Sequence, residues 1–376
     1  MLVHHSGETY TEAAKRAADK ATEKLNAMIN AGLQSAKSTL ESVEANQPRD
    51  FMVPAKKISF HSEEEKGGFN IQASFQNHKF PVHQHALMQV GERAGFHVNT
   101  VRDMTEPDVI ENFANALNTR YHASDRKYLV RSVKDEIRGF LSDKFRRIDS
   151  RPIVRALVDE ATRLGAVPID GRALETKVAL KFVLPTIYEP IANEVMVFGL
   201  CFRNSDFGDG ALYMNGFCNR LWCTNLAMME DVFRQIHLGR KLSEELEFSN
   251  ETYILDTKTT ISAVKDVTKS LLSKESVERR LETIKQSAST ETDVQKVLTG
   301  LRGRSAISKK EAEEVVELYN SADIHLLPAG QTAWRLSNAI SLMAQKAEAA
   351  RQLELEDLAG KVAGLQVEHK IMEAVN

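Results

Sequence analysis

The chain is predicted to adopt an α+β fold: a central antiparallel sheet built around a long β-hairpin, flanked by helices, with a mostly helical C-terminal third. Three observations lead there. Residues 177–184 alternate apolar and polar with period two, the mark of a strand. An apolar run at 195–202 and a second strand-like stretch at 211–223 enclose Arg203-Asn204-Ser205-Asp206-Phe207-Gly208-Asp209-Gly210, which has the composition of a hairpin turn. Before and after this block, apolar residues recur at three- and four-residue steps, the helical spacing.

The elements follow in order. Ala14, Ala18, Ala21, Leu25 and Met28 predict one long amphipathic helix over 9–43, opened by Thr9 and Glu12 at capping-box spacing and ended by Asn46-Gln47-Pro48. Its alanine stripe buries little area, so close packing on another helix is expected. Short alternating pieces over 51–80 around Gly67-Gly68 predict a small hairpin. Helices are expected at 85–94 and from Pro107 to Leu117, where proline suits a first turn. Residues 127–143 predict another hairpin. Ser150 as N-cap, Pro152 in the first turn and Gly165 as stop delimit a further helix.

Beyond Thr224 the pattern is helical throughout: 257–288, then 292–298 stopped by Gly300, then a helix opened by the Ser308/Glu311 capping box, then 331–372. Gly300 to Ser305 is expected to be a mobile basic loop. These elements group into an N-terminal helical extension (1–48), a mixed α+β core (49–256) and a helical C-terminal region (257–376).

With 376 residues, 42% hydrophobic and 27% charged, the chain excludes collagen-like and wholly disordered readings. Three cysteines, Cys201, Cys218 and Cys223, cannot form a closed disulfide framework, which fits a reducing cytosol. No apolar run approaches the roughly 20 residues of a membrane span. The expectation is a cytoplasmic protein without signal peptide or membrane partner.

The net charge of −3 conceals one basic stretch: residues 120–155 carry 11 cationic and 5 anionic side chains. Its cations are interleaved with Tyr121, Tyr128, Phe140 and Phe145, and cations with aromatics are what a single-stranded polynucleotide requires for its phosphates and bases. A solvated, salt-bridged surface accounts for about three in five such runs.

Other chemistry lacks a pattern. Cys201, Cys218 and Cys223 with His237 have the ligand types of a zinc site, but Cys218 and Cys223 are five apart on an expected strand and face opposite ways, which favours buried structural thiols. His83 and His85 have no third ligand at recognisable spacing. Residues 204–210 resemble a calcium loop only until Asn215 falls where the bidentate glutamate is required. Asp143 and Asp149 form a potential carboxylate pair, kept ionised by nearby arginines. No phosphate-cradling glycine loop, nucleophile elbow or paired-histidine helix occurs. No catalytic residue, metal or cofactor is therefore expected, and an enzyme is the less favoured class. Tyr213, Asn215, Phe217 and Asn219 would share one strand face, for which core packing outweighs base stacking by about two to one. Leu336, Ile340, Met343, Ala347 and Ala350 have heptad-like spacing, suited either to subunit assembly or to internal packing.

Four segments together resemble a family of phage, prophage and plasmid proteins known as phage/plasmid-like proteins with a domain of unknown function. They are Tyr128-Leu-Val-Arg131 with 137–143 and 145–149; Phe202-Arg-Asn-Ser-Asp206 with Gly208; Phe217-Cys-Asn-Arg-Leu-Trp-Cys-Thr-Asn225; and Thr332-Ala-Trp-Arg-Leu-Ser-Asn-Ala-Ile340. Leu226 and Ser341-Leu342-Met343 depart from the family's usual residues, which marks a divergent member, and the helix before Pro48 lies outside the resemblance.

Relatives of that family sit among recombination, repair and antirestriction genes, and a hairpin flanked by helices is similar to the core of phage single-strand annealing proteins of the Red beta and RecT type. This second resemblance implies a bacteriophage DNA-binding protein that anneals single-stranded DNA in recombination, as a homo-oligomer in the bacterial host cytoplasm, without nucleotide hydrolysis. A phage exonuclease or a host single-strand-binding protein is the implied protein partner. In that model Arg131, Arg138, Lys144, Arg146, Arg147 and Arg151 line a groove, with Lys177 and Lys181 as secondary contacts. The alternative is a non-enzymatic protein-interaction factor, antirestriction or virion-associated. A nuclease using Asp143 and Asp149 is the third reading.

Overall fold

The computed structural model describes residues 2–3, 12–65, 68–97, 104–192, 194–221, 225–235, 249–321 and 327–364. The long helix expected from the alanine spacing is α1 (Glu12–Ala45). The Thr9 cap lies outside the described residues. Next come β2 (Arg49–Pro54) and a 3-10 turn (Ala55–Lys57), β1 being the short Leu2–Val3. They are followed by β3 (Ser59–Glu65), β4 (Gly68–Phe75) and β5 (His78–Pro81), an antiparallel three-stranded sheet. Gln76 and Asn77, both at positive φ, join β4 to β5 in the manner of a type I′ turn.

Helix α2 (Gln84–Arg93) packs on the hairpin that comes later in the chain, and α3 (Pro107–His122), with its proline in the first turn, packs on β3 and β4. The ambiguous stretch at 127–143 is a hairpin, β6 (Lys127–Val133) and β7 (Glu136–Ser142), turned at Lys134 (φ 49°) and Asp135 (φ 66°). With β2 it forms a second three-stranded antiparallel sheet. Ile58, Phe60, Leu117, Val130 and Phe140 close one shared core, so 49–145 is a lobe with its own interior.

Helix α4 (Ser150–Arg163) leads through Gly165 (φ 79°) into the main sheet. Its strands are β8 (Val167–Ala173), β9 (Val178–Val183), β10 (Ile187–Tyr188), β11 (Met196–Asn204), β12 (Leu212–Arg220) and β13 (Asn225–Gln235). The order is β8-β9-β11-β12-β13, with β10 and then β1 continuing from the Met196 end of β11; only the β1–β10 pairing is parallel. The long hairpin is β11–β12, in register from Met196 opposite Arg220 to Arg203 opposite Tyr213. Four strands of the main sheet escaped the sequence reading, and β1 and β10, at two residues each, are too short to show alternation. β8 carries Pro168 and Gly171 and lacks clean alternation, and β13, in the region read as helical, pairs with β12 through two irregularities in register.

Alternate residues of the hairpin serve different cores. Leu200, Phe202, Leu212 and Met214 pack with Val154 and Leu157 of α4, whereas Val197, Cys201 and Phe217 pack with Ala21 and Leu25 of α1. Rather than standing apart as an extension, α1 lies along β8. A Cβ on Gly32 would overlap the Ile169 backbone, and one on Gly171 would lie 2.6 Å from the Ala36 Cα. The two glycines and the alanine stripe thus answer one demand, close approach of helix and strand backbones.

The C-terminal region is helical but more divided than expected. Residues 257–288 belong to α5 (Asn250–Leu271) and α6 (Lys274–Ser289), broken where Ser273 caps α6. α7 (Val294–Gly303) runs through Gly300, so most of the expected loop is helix. α8 (Lys309–Tyr319) opens with the Ser308/Glu311 capping box, formed in both directions. The segment read as a single helix from 331 is α9 (Ala333–Ala344) and α10 (Ala349–Ala363). Leu336, Ile340 and Met343 are buried with Met196, Phe198 and Leu355, so the heptad-like stripe serves internal packing.

Candidate nucleic-acid interface

Each cation of the basic stretch can be followed to its partner. Arg131, on β6, is 1% exposed; its Nε donates to Asp50 Oδ1 (2.7 Å), its Nη1 to the Asp206 carbonyl (2.8 Å) and its Nη2 to Asp149 Oδ1 (2.6 Å). Burial opposes its charge, but the carboxylates of Asp149, Asp50 and Asp206 more than offset that, so its pKa stands above the usual arginine value. Arg146 holds Asp256 of α5 through two hydrogen bonds. Arg147 pairs with Asp50 at 3.1 Å and lies 4.6 Å above the Tyr253 ring of α5. Arg151 and Arg155 share Glu44 at the end of α1, at 2.7 and 2.6 Å. Arg138 pairs with Glu136 (2.9 Å) and donates to the Glu175 carbonyl (3.2 Å).

The secondary contacts are occupied too. Lys177 pairs with Asp209 at 2.9 Å. Lys181 is 2% exposed and donates to both carboxylate oxygens of Glu356 on α10, at 2.8 and 3.0 Å.

The expected continuous furrow therefore requires correction. Arg131, Arg138, Arg146, Arg147, Arg151, Lys177 and Lys181 are paired with carboxylates, and Arg131 and Lys181 are closed to any polynucleotide. The physical reason is that the segment's charge excess is local to the sequence. In space it is met by Glu44, Asp50, Asp206 and Asp256, contributed by α1, β2, the hairpin turn and α5. These arginines bind the N-terminal lobe, the main sheet and the C-terminal helices to one another.

Asp206 sits at the centre of this junction, accepting from the Ser150 backbone N–H (2.8 Å), the Ser150 hydroxyl (2.7 Å) and Asn204 Nδ2 (3.3 Å). Burial, partly countered by Arg131 and reinforced by the charge of Asp149, pushes its carboxyl up to about 6.

The remaining chemistry resolves as structure. Cys201 and Cys218 are buried free thiols on opposite faces of the sheet, in different cores; Cys223 and His237 lie outside the described residues. His83 pairs with Glu175 at 2.7 Å, and His85 lies 3.1 Å from the Phe207 carbonyl. Among the described residues no group of three acidic, histidine or cysteine side chains is placed to hold a metal ion. Asn215, Phe217 and Asn219 are buried, which closes that strand face to bases.

The basic stretch also contributes to a surface cleft. A cleft of about 520 Å3 at the open end of the β6–β7 hairpin is lined by Arg93, Arg126, Lys127 and Lys144, against Asp125 and Asp143. Of the expected contacts only Lys144 belongs to it. Arg126 and Lys127 fall inside the basic stretch; Arg93, at the end of α2, had no sequence signal beyond being a cation in a last helical turn. Lys56 and Lys57 adjoin the cleft through the Ala55 N–H, which donates to the Arg126 carbonyl (2.8 Å), and Asp125 is itself paired with Lys56 at 2.5 Å. No described helix is long and apolar enough to cross a membrane. In comparisons with known proteins, no family model, no curated protein and no solved structure matches the chain.

Proposed function

We propose that the protein is a non-enzymatic, phage-type single-stranded DNA binding and annealing protein, acting in recombination in a bacterial cytoplasm. Its phosphate contacts lie at the basic end of the N-terminal lobe rather than along residues 131–151. The cleft carries this reading: four cations converge there against two carboxylates, one of them neutralised by Lys56. The phage/plasmid-like resemblance supplies the recombination setting. Phosphate neutralisation needs no chemical step.

The test is a gel shift with labelled single and double strands at two salt concentrations. Replacing Arg126, Lys127 and Lys144 together by glutamine should weaken single-strand binding about tenfold or more and flatten its salt dependence. Unchanged binding by that variant, or no binding by the natural chain, overturns the reading.

A second reading, a protein-interaction factor of antirestriction or virion type, is favoured by Ile254 and Leu255. Both are 55% exposed on α5, while their neighbours Tyr253 and Asp256 turn inward to Arg147 and Arg146. Retention of a defined protein partner after nuclease treatment, lost on changing both residues to glutamate, would decide for it.

A further inference from the structure

Helix α5 presents two different faces. Thr260, Val264, Thr268 and Leu271 are buried, and Asp256 turns inward to Arg146, so this stripe holds the helix on the core. On the opposite side Glu251, Ile254, Leu255 and Lys258 are exposed. They stand at i, i+3, i+4 and i+7, which on a helix is one patch two turns long. Ile254 and Leu255, each 55% exposed, are the most exposed large apolar side chains among the described residues, and they are adjacent. Single apolar residues scattered over a surface need no explanation, whereas a pair set between an acid and a base on one helix face does. Among the described residues neither Glu251 nor Lys258 is taken up in an ion pair.

The order acid, apolar, apolar, base is complementary to itself. A second copy of α5, laid antiparallel across a two-fold axis between Ile254 and Leu255, sets its own Lys258 opposite Glu251, its Glu251 opposite Lys258 and its Leu255 against Ile254. We propose that this face of α5 is the contact surface for a second copy of the chain, joined antiparallel over two turns of helix. Four apolar side chains leave water at its centre, and the two charge pairs fix its direction, because a parallel arrangement would set like charge against like. An isologous contact of this kind closes at two copies and builds neither ring nor filament. Two apolar residues per copy fall far short of a permanent interface, so the dimer is weak, with a Kd on the order of 10–100 µM. The contact is independent of the nucleic-acid reading and shares with the protein-interaction reading only its apolar pair, for which it names the partner.

Sedimentation equilibrium of the full chain, from about 1 to about 500 µM, tests it. The natural chain should pass from monomer to dimer and no further, and Leu255→Glu should weaken association about tenfold or more. Glu251→Lys and Lys258→Glu, each alone, set like charges opposite one another and should weaken it about three- to tenfold. Mixed in equal amounts, those two variants regain both charge pairs and should associate at least as tightly as the natural chain. Restoration on mixing excludes misfolding of either variant as the cause of its weakness. A chain that is monomeric at every concentration, a dimer that Leu255→Glu leaves unchanged, or a mixture no tighter than either variant alone overturns the contact. Nuclease-treated pull-downs with the same proteins separate the two ideas: a monomeric chain that retains a different protein overturns the contact and keeps the interaction reading, whereas a dimer that retains none keeps the contact and overturns that reading.

Discussion

Arg131 and Asp149 stand 2.6 Å apart, where the N-terminal lobe meets the main sheet, with 1% of the arginine exposed. Asp149 is also the N-cap residue of α4, so one guanidinium fixes the start of that helix, the β2 strand through Asp50 and the hairpin turn through the Asp206 carbonyl. What resembled a polyanion-binding run works as an internal joint.

Arg131→Met should accordingly destabilise the protein by about 3–5 kcal/mol, because three acidic residues lose their shared counterion inside the fold. Asp149→Asn should cost less, since Asp50 and the Asp206 carbonyl remain. Urea unfolding of both variants measures the difference; an Arg131→Met loss under about 1 kcal/mol would contradict the joint.

Lys181 and Glu356 form a pair with 2% and 3% side-chain exposure, pinning α10 to β9. Lys181→Met alone should cost about 3–5 kcal/mol by leaving a buried carboxylate unpaired, whereas Lys181→Met with Glu356→Leu should recover most of that. A double-mutant cycle read by denaturant midpoint provides the check.

Two carboxyls give opposite pH responses. Folding raises Asp206 from 3.8 to about 6, so its contribution is complete below pH 3.8 and lost as pH rises through about 6. Folding lowers Glu311 from 4.5 to about 2, chiefly through its hydrogen bond with Arg351; its contribution is present above pH 4.5 and lost as pH falls through about 2. Asp206→Asn keeps the acceptor oxygen and cannot ionise. Between pH 7 and pH 4 the stability of the natural chain should therefore gain about 2 kcal/mol relative to Asp206→Asn. Parallel pH series of unfolding free energy would show it.

Gly171→Ala should destabilise by more than the about 0.5–1 kcal/mol that alanine usually returns in place of glycine, with sign reversed, because its Cβ would meet the α1 backbone at 2.6–2.8 Å. Thermal unfolding is sufficient to measure it. An unchanged Tm would mean that α1 and β8 can separate at no cost.

Much of the local structure was legible in the residues. Alanine spacing marked α1, a capping box marked the start of α8, and turn chemistry at 203–210 marked the β11–β12 hairpin, because each is dictated by neighbours within a few positions. β13 was not legible, since its place at a sheet edge depends on register with β12 rather than on its own pattern.

Charge divides along the same line. The amino-acid order alone determined that cations crowd residues 120–155 and which short elements form. Only the tertiary structure decided that Glu44, Asp50, Asp206 and Asp256 converge on those cations and that Arg93, from outside the run, lines one cleft with Arg126, Lys127 and Lys144. The reason is Coulombic: interaction energy depends on distance and dielectric after folding, and sequence separation reports neither.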